Sequence, residues 1–137
     1  YEPTLAKTLA TSPDDARLED FQKISNANLI TIGVGIPTAH PKGTRISMIV
    51  FQPMQARQVY SKKYLHADEE TFFIKSEKEL GGKGNLNTIA LAICYEISVP
   101  EHAEDAYARG AEIYLASVAK FETGVQKALE RLKAAKN

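Results

Sequence analysis

The chain has 137 residues, 44% of them hydrophobic and 25% charged, which fits an ordinary folded protein and excludes a disordered or fibrous one. Lys+Arg and Asp+Glu number 17 each, so the formal net charge is +0 and no overall field draws the chain to nucleic acid or an acidic membrane surface. A single cysteine excludes an internal disulfide framework and, with no apolar run approaching the ~20 residues of a membrane span, points to a reducing, cytoplasmic setting. In chain order, the opening at Tyr1 carries neither Met nor an apolar leader and fits a processed, trimmed or partial chain. After Pro13, Asp14 or Asp15 is placed to cap a helix whose apolar face uses Ala16, Leu18, Phe21, Ile24 and Ala27. Asn26 and Asn28 offer it a stop. LITIGVGI (29–36) then reads as a strand rich in β-branched residues, TAHPKGT (38–44) as a turn, and ISMIVFQ (46–52) as a strand buried on both faces and ended by Pro53.

A short strand runs to about Tyr60, and KSEKELGGKGN (75–85) reads as an exposed loop. Lys83 has glycine neighbours there but no full phosphate-loop pattern, so phosphate binding is set aside. LNTIALAICYE is the next strand, Pro100 an early residue of the helix that follows, and Gly110 its end. AEIYLASVA (111–119) returns as a strand before a terminal helix with Phe121, Val125, Ala128, Leu129 and Leu132 on one side. Alternating strands and helices in the second half, after a run of strands in the first, predict an α/β layered fold in a single domain, 1–137.

Taken alone, Cys94 after Ile89, Leu91 and Ile93 reads as a small buried hydrophobe, Lys62 and Lys63 as solvated charges, and Asp68, Glu69 and Glu70 as a solvated acidic turn. His40, His66 and His102 lack metal-ligand spacing and cysteine company, so no metal is expected. The junction CYEISVPEHAEDAYARG argues the other way for Cys94. A residue at the C-terminal end of a strand that leads into a helix stands at the sheet edge near the helix's positive pole, which exposes a thiol and favours thiolate.

YSKKYLHADEETFF, LAICYEISVPE and ARGAEIYLASVAKF, in that order, resemble the nitrilase superfamily of carbon-nitrogen hydrolases. Tyr60, Ser61 and Lys62 match its lysine segment, and Cys94, Tyr95, Glu96, Pro100 and Glu101 match its nucleophile segment. Tyr64 stands where the family often has histidine. The resemblance implies a mixed sheet with flanking helices, part of an α-β-β-α sandwich, and a domain incomplete at both ends. It implies that Cys94 attacks an amide or nitrile carbon and forms a thioester, while Lys62 and the backbone N–H of Tyr95 stabilise the oxyanion. Glu70 takes the place of the glutamate that orients the lysine, with Glu69 as second choice. The family's first catalytic glutamate precedes a glycine-tyrosine pair, and YEPT resembles sequence just after that pair, so Glu2 is not assigned the role. Tyr95, Ser117 and Ala119 are expected to border the substrate pocket.

No cofactor is called for, the partner is a small-molecule amide or nitrile, and the parent protein is expected to be a homodimer or larger homo-oligomer. Nitriles, linear amides, ureido acids and ω-amides are all handled within the family, and fold analogy does not choose among them. An acyltransferase of the same superfamily and a non-catalytic α/β interaction module are the two other readings.

Overall fold

The computed structural model describes residues 2–77, 88–119 and 122–135. They fall in two compact units, divided at Glu77 and Lys78.

In the first unit a 3-10 turn at Pro3–Leu5 leads into a single helical turn, α1 (Ala6–Leu9). Asp15 then caps a 3-10 turn, Ala16–Leu18, by accepting the Arg17 N–H at 2.8 Å, and the chain continues into α2 (Glu19–Asn28). The predicted helix is therefore present with a tighter first turn. It ends where Leu29 adopts a left-handed φ of 53°, and the Ile30 N–H reaches back to the Ser25 carbonyl. Ser25, fully buried, ties the helix to the sheet: its Oγ donates to the Ile30 carbonyl at 2.6 Å and lies 3.2 Å from that of Phe51.

Three antiparallel strands form the sheet in the order β1-β2-β3, with β1 at Ile32–His40, β2 at Gly43–Phe51 and β3 at Gln58–Ser61. The first strand starts and ends later than the sequence suggests. Most of the expected turn is paired ladder, and only Pro41 and Lys42 separate the partners His40 and Gly43. Gly43 makes this tight connection possible, since its φ of +151° disfavours other residues and a Cβ would stand 3.1 Å from Ile74 Cγ2.

As its apolar run predicts, β2 is buried on both faces. Ile49 and Phe51 pack with Leu18 and Phe21 beneath α2, whereas Met48 and Val50 alternate to the other face. Arg57 clamps this unit. It donates to the Pro13 carbonyl at 2.8 Å, pairs with Glu19 at 2.6 Å and lies over the Phe51 ring at 5.3 Å. A hydroxyl ladder, Thr38–Ser47–Ser61, crosses all three strands at 2.6 and 2.8 Å. Pro37 is accommodated in β1 because this strand is at the sheet edge, where Thr11 makes an isolated parallel bridge: its N–H donates to the Pro37 carbonyl and its carbonyl accepts from Ala39.

The second unit holds two parallel strands, β4 (Ile89–Ile93) and β5 (Ile113–Ser117), joined through a 3-10 turn at Cys94–Ser98 and α3 (Pro100–Ala108). Pro100 occupies the first helical turn, where its missing N–H costs nothing. Gly110, at φ +82°, closes α3 with the paired bonds Gly110 N–H to Tyr107 carbonyl and Ala111 N–H to Ala106 carbonyl. Helix α4 (Glu122–Ala135) follows, with Ala128 buried and Leu129 exposed. Residues 78–87, including Lys83, and Phe121 lie outside the described residues. Among the described residues no helix is long and apolar enough to cross a membrane.

Candidate active site

The first unit positions Lys62. Its backbone continues the β3 edge, with its N–H on the Ile46 carbonyl at 2.8 Å and its own carbonyl accepting from Ser76 at 2.9 Å. The side chain is 0% exposed. Its Nζ sits 2.7 Å from both carboxylate oxygens of Glu69, whose side chain is 12% exposed. Glu69 is itself fixed, since Oε2 accepts the His66 N–H at 2.8 Å and its carbonyl accepts from Phe72 and Phe73. A buried ammonium is tolerable only when paired and hydrogen-bonded, and this chelating geometry meets that demand.

The sequence favoured Glu70 for this place, but Glu70 is exposed and the carboxylate on Lys62 is that of Glu69. Residues 66–69 form a turn, and a one-residue difference there reverses which acid faces inward. Asp68 faces out and pairs with His66 at 2.6 Å, which holds its carboxyl below the ordinary aspartate range.

The second unit positions Cys94. Its φ is +49°, left-handed for a residue with a Cβ, a conformation that costs of order 1–3 kcal/mol. The strand thus turns sharply at the thiol, and a five-residue 3-10 turn, rather than α3 directly, follows it. Cys94 and Tyr95 are half-buried. Ser117, exposed, pairs in register with Ile93 and so lies at the strand end beside the turn at Cys94, while Ala119 is exposed two residues beyond β5.

Glu96 is fully buried and accepts the Ile93 N–H at 2.8 Å. Its Oε2 is 3.9 Å from His102 Nε2, and His102 Nδ1 is 2.7 Å from the Tyr114 hydroxyl. Sequence reasoning matched Glu96 to the family pattern without a role and read His102 only as a failed metal ligand. His102 follows Glu101 on an amphipathic helix, and only the fold brings it to Glu96 and Tyr114. An open groove on α3, β5 and α4, lined by Ala106, Tyr107, Glu112, Tyr114 and Leu132 among others, does not include Cys94. Among the described residues no cluster of His, Cys, Asp and Glu is arranged to hold a metal ion.

One unit thus holds a left-handed cysteine at a strand end, and the other a buried lysine chelated by a carboxylate, residue types that nucleophilic acyl transfer uses. The sequence profile of the Carbon-nitrogen hydrolase family matches residues 2–134. The chain belongs to the carbon-nitrogen hydrolases. Solved structures of the nitrilase superfamily share its mixed α/β fold. A variant of the amidase from Nesterenkonia AN1, of the nitrilase superfamily, is 25% identical with a TM-score of 0.73, covering 98% of this chain and 53% of that one. Another structure of the Nesterenkonia sp. AN1 amidase shows covalent addition of the acetamide moiety of fluoroacetamide at the active-site cysteine; it is 24% identical, with a TM-score of 0.70, over 91% of this chain and 50% of that one. Nit3 of Saccharomyces cerevisiae, a member of branch 10 of the nitrilase superfamily, reaches a TM-score of 0.78 at 18% identity, over 99% of this chain and 53% of that one. The chain therefore spans about half the length of these proteins. No curated protein matches it.

Proposed function

We propose that the protein carrying this chain hydrolyses a non-peptide carbon-nitrogen bond through a thioester on Cys94. The observation that carries the reading is the left-handed Cys94 at the end of β4, because a backbone held in that conformation turns the chain sharply and is tolerated where function uses it. The buried Lys62–Glu69 pair supports it from the other half of the family pattern.

In this mechanism the Cys94 sulfur attacks the amide carbon. The carbonyl oxygen takes up negative charge and is stabilised by the Lys62 ammonium and the Tyr95 N–H. Collapse of the intermediate breaks the carbon-nitrogen bond, and the leaving amine departs with a proton supplied by a general acid. Water then attacks the thioester, giving the acid and the free thiol. Glu69 holds and aims Lys62, the role that the sequence pattern gives to Glu70. The proton-transfer base of the family pattern is its first catalytic glutamate, a role assigned to no residue described here. Glu2 is not that group, since it is exposed and occupied by Thr4. Ser117 borders the acyl group, and Ala119 lines the approach.

The test is amide hydrolysis by the complete protein and its Cys94→Ala and Lys62→Ala variants, with ammonia release and intact mass followed together. The expected result is loss of turnover by at least 10³-fold for Cys94→Ala, on the order of what removing a nucleophile costs, and an acyl adduct only on proteins that retain Cys94. Undiminished hydrolysis by the Cys94→Ala variant would overturn the assignment.

A further inference from the structure

The chain Glu96–His102–Tyr114, buried at Glu96 and His102 and half-buried at Tyr114, starts two residues after the proposed nucleophile and has no place in the reaction just described. Its geometry is specific. Glu96 Oε2 accepts the N–H of Ile93, the residue that precedes Cys94, and the same Oε2 faces His102 Nε2 at 3.9 Å. On the other side of the imidazole, Nδ1 and the Tyr114 hydroxyl are 2.7 Å apart, and the two rings meet edge to face at 87°. The three side chains come from three elements: the 3-10 turn, α3 and β5.

We propose that His102 and Tyr114 are positioning residues for Cys94, which hold Glu96 on the Ile93 N–H and make the reactivity of the thiol depend on the protonation of His102. The proposal deepens the thioester reading and rests on Cys94 being the nucleophile. In the neutral state the phenol O–H of Tyr114 donates to Nδ1, so the imidazole proton sits on Nε2 and faces Glu96. Tyr114 remains a phenol in this arrangement, since burial, and then the negative charge of Glu96, push it above the ordinary tyrosine range.

A second proton changes the balance. The imidazolium attracts Oε2, the oxygen that receives the Ile93 N–H, and so competes with the bond that anchors the turn. Cys94 has a left-handed backbone that relaxes when its anchor weakens. The charged and titratable groups around His102 are consistent with this role. Glu96 and Tyr114 face it directly, β4 carries none, and α4 brings Arg131, which donates to the Ser98 carbonyl at 3.3 Å. On its own helix Glu101 and Asp105 are exposed, and Asp105 pairs with Arg109.

The experiment is the rate of iodoacetamide alkylation at Cys94 from pH 5 to 9, read by peptide mass mapping in the complete protein and its His102→Gln and Tyr114→Phe variants. The wild type is expected to show two inflections, that of the thiol and a second that belongs to the imidazole. His102→Gln should abolish the second, and Tyr114→Phe should displace it and slow alkylation at pH 7 several-fold. A wild-type profile with the thiol inflection alone, or a second inflection that survives in His102→Gln, overturns the proposal. Should His102→Gln fail to fold by far-UV circular dichroism, Tyr114→Phe decides, because it removes one hydroxyl; an unchanged profile in that variant overturns the proposal. Amide hydrolysis measured on the same samples separates the two readings. A wild type that hydrolyses no amide while its alkylation profile responds as described supports the positioning role and removes the hydrolase reading.

Discussion

Lys62 and Glu69 form the most constrained polar contact in the first unit. Both oxygens of the carboxylate lie 2.7 Å from an ammonium that solvent does not reach. Removing one partner from such a pair strands the other charge in a medium that cannot solvate it. Glu69→Ala is expected to cost about 3–5 kcal/mol, whereas Glu70→Ala, on the exposed side of the same turn, should stay within roughly 0.5 kcal/mol. Urea unfolding of the two variants beside the wild type gives the comparison, and equal effects would refute the pairing. Asp15 offers a test in pH. The Arg17 guanidinium first, then the Thr11 hydroxyl and the Arg17 N–H, hold its carboxyl well below the ordinary aspartate range. A depressed acid contributes stability above its unfolded pKa, about 3.9, and that contribution is lost as pH falls through the folded value. Asp15→Asn should therefore be less stable than wild type at pH 6, with the difference narrowing below about pH 4. Urea midpoints across that range read it directly.

At the scale of the elements, local chemistry made most of the order legible. β-branched runs marked β1 and β2, Pro53 and Pro100 bounded their neighbours, and Gly110 closed α3. The Gly110 cap is testable: at φ +82°, with open space where the Cβ of an alanine would stand, Gly110→Ala brings no clash and only the left-handed penalty. A loss of about 1 kcal/mol is expected, measured as a lowered urea midpoint; an unchanged midpoint would mean the cap contributes nothing. The beginning of β1 was harder to place because Leu29 leaves the helix in a left-handed conformation that side-chain type does not announce. The extent of the hairpin was missed for a related reason. Pro, Lys and Gly at 41–43 signal a turn but not its length, and pairing of His40 with Gly43 reduced seven expected residues to two. The strain at Cys94 was invisible for the same cause, since cysteine has no preference for positive φ.

For the molecule as a whole, the residue pattern around Lys62 and Cys94 identified the family, while the contacts that refine the site came only from folding. Choosing Glu69 over Glu70 needs the direction of a turn, and linking Glu96, His102 and Tyr114 needs three elements in register. Neither is encoded in spacing alone. The Thr11 bridge also bears on how copies of the chain meet in solution. An uncovered outer strand offers its unpaired N–H and C=O groups as a template for another chain, and Thr11 occupies part of that row on β1 with one donated and one accepted bond. Thr11→Pro removes the donor, and the expected outcome is concentration-dependent growth in light scattering at pH 7, where the net charge of +0 supplies little repulsion between molecules. A single threonine on the sheet edge thus acts as a guard on colloidal stability.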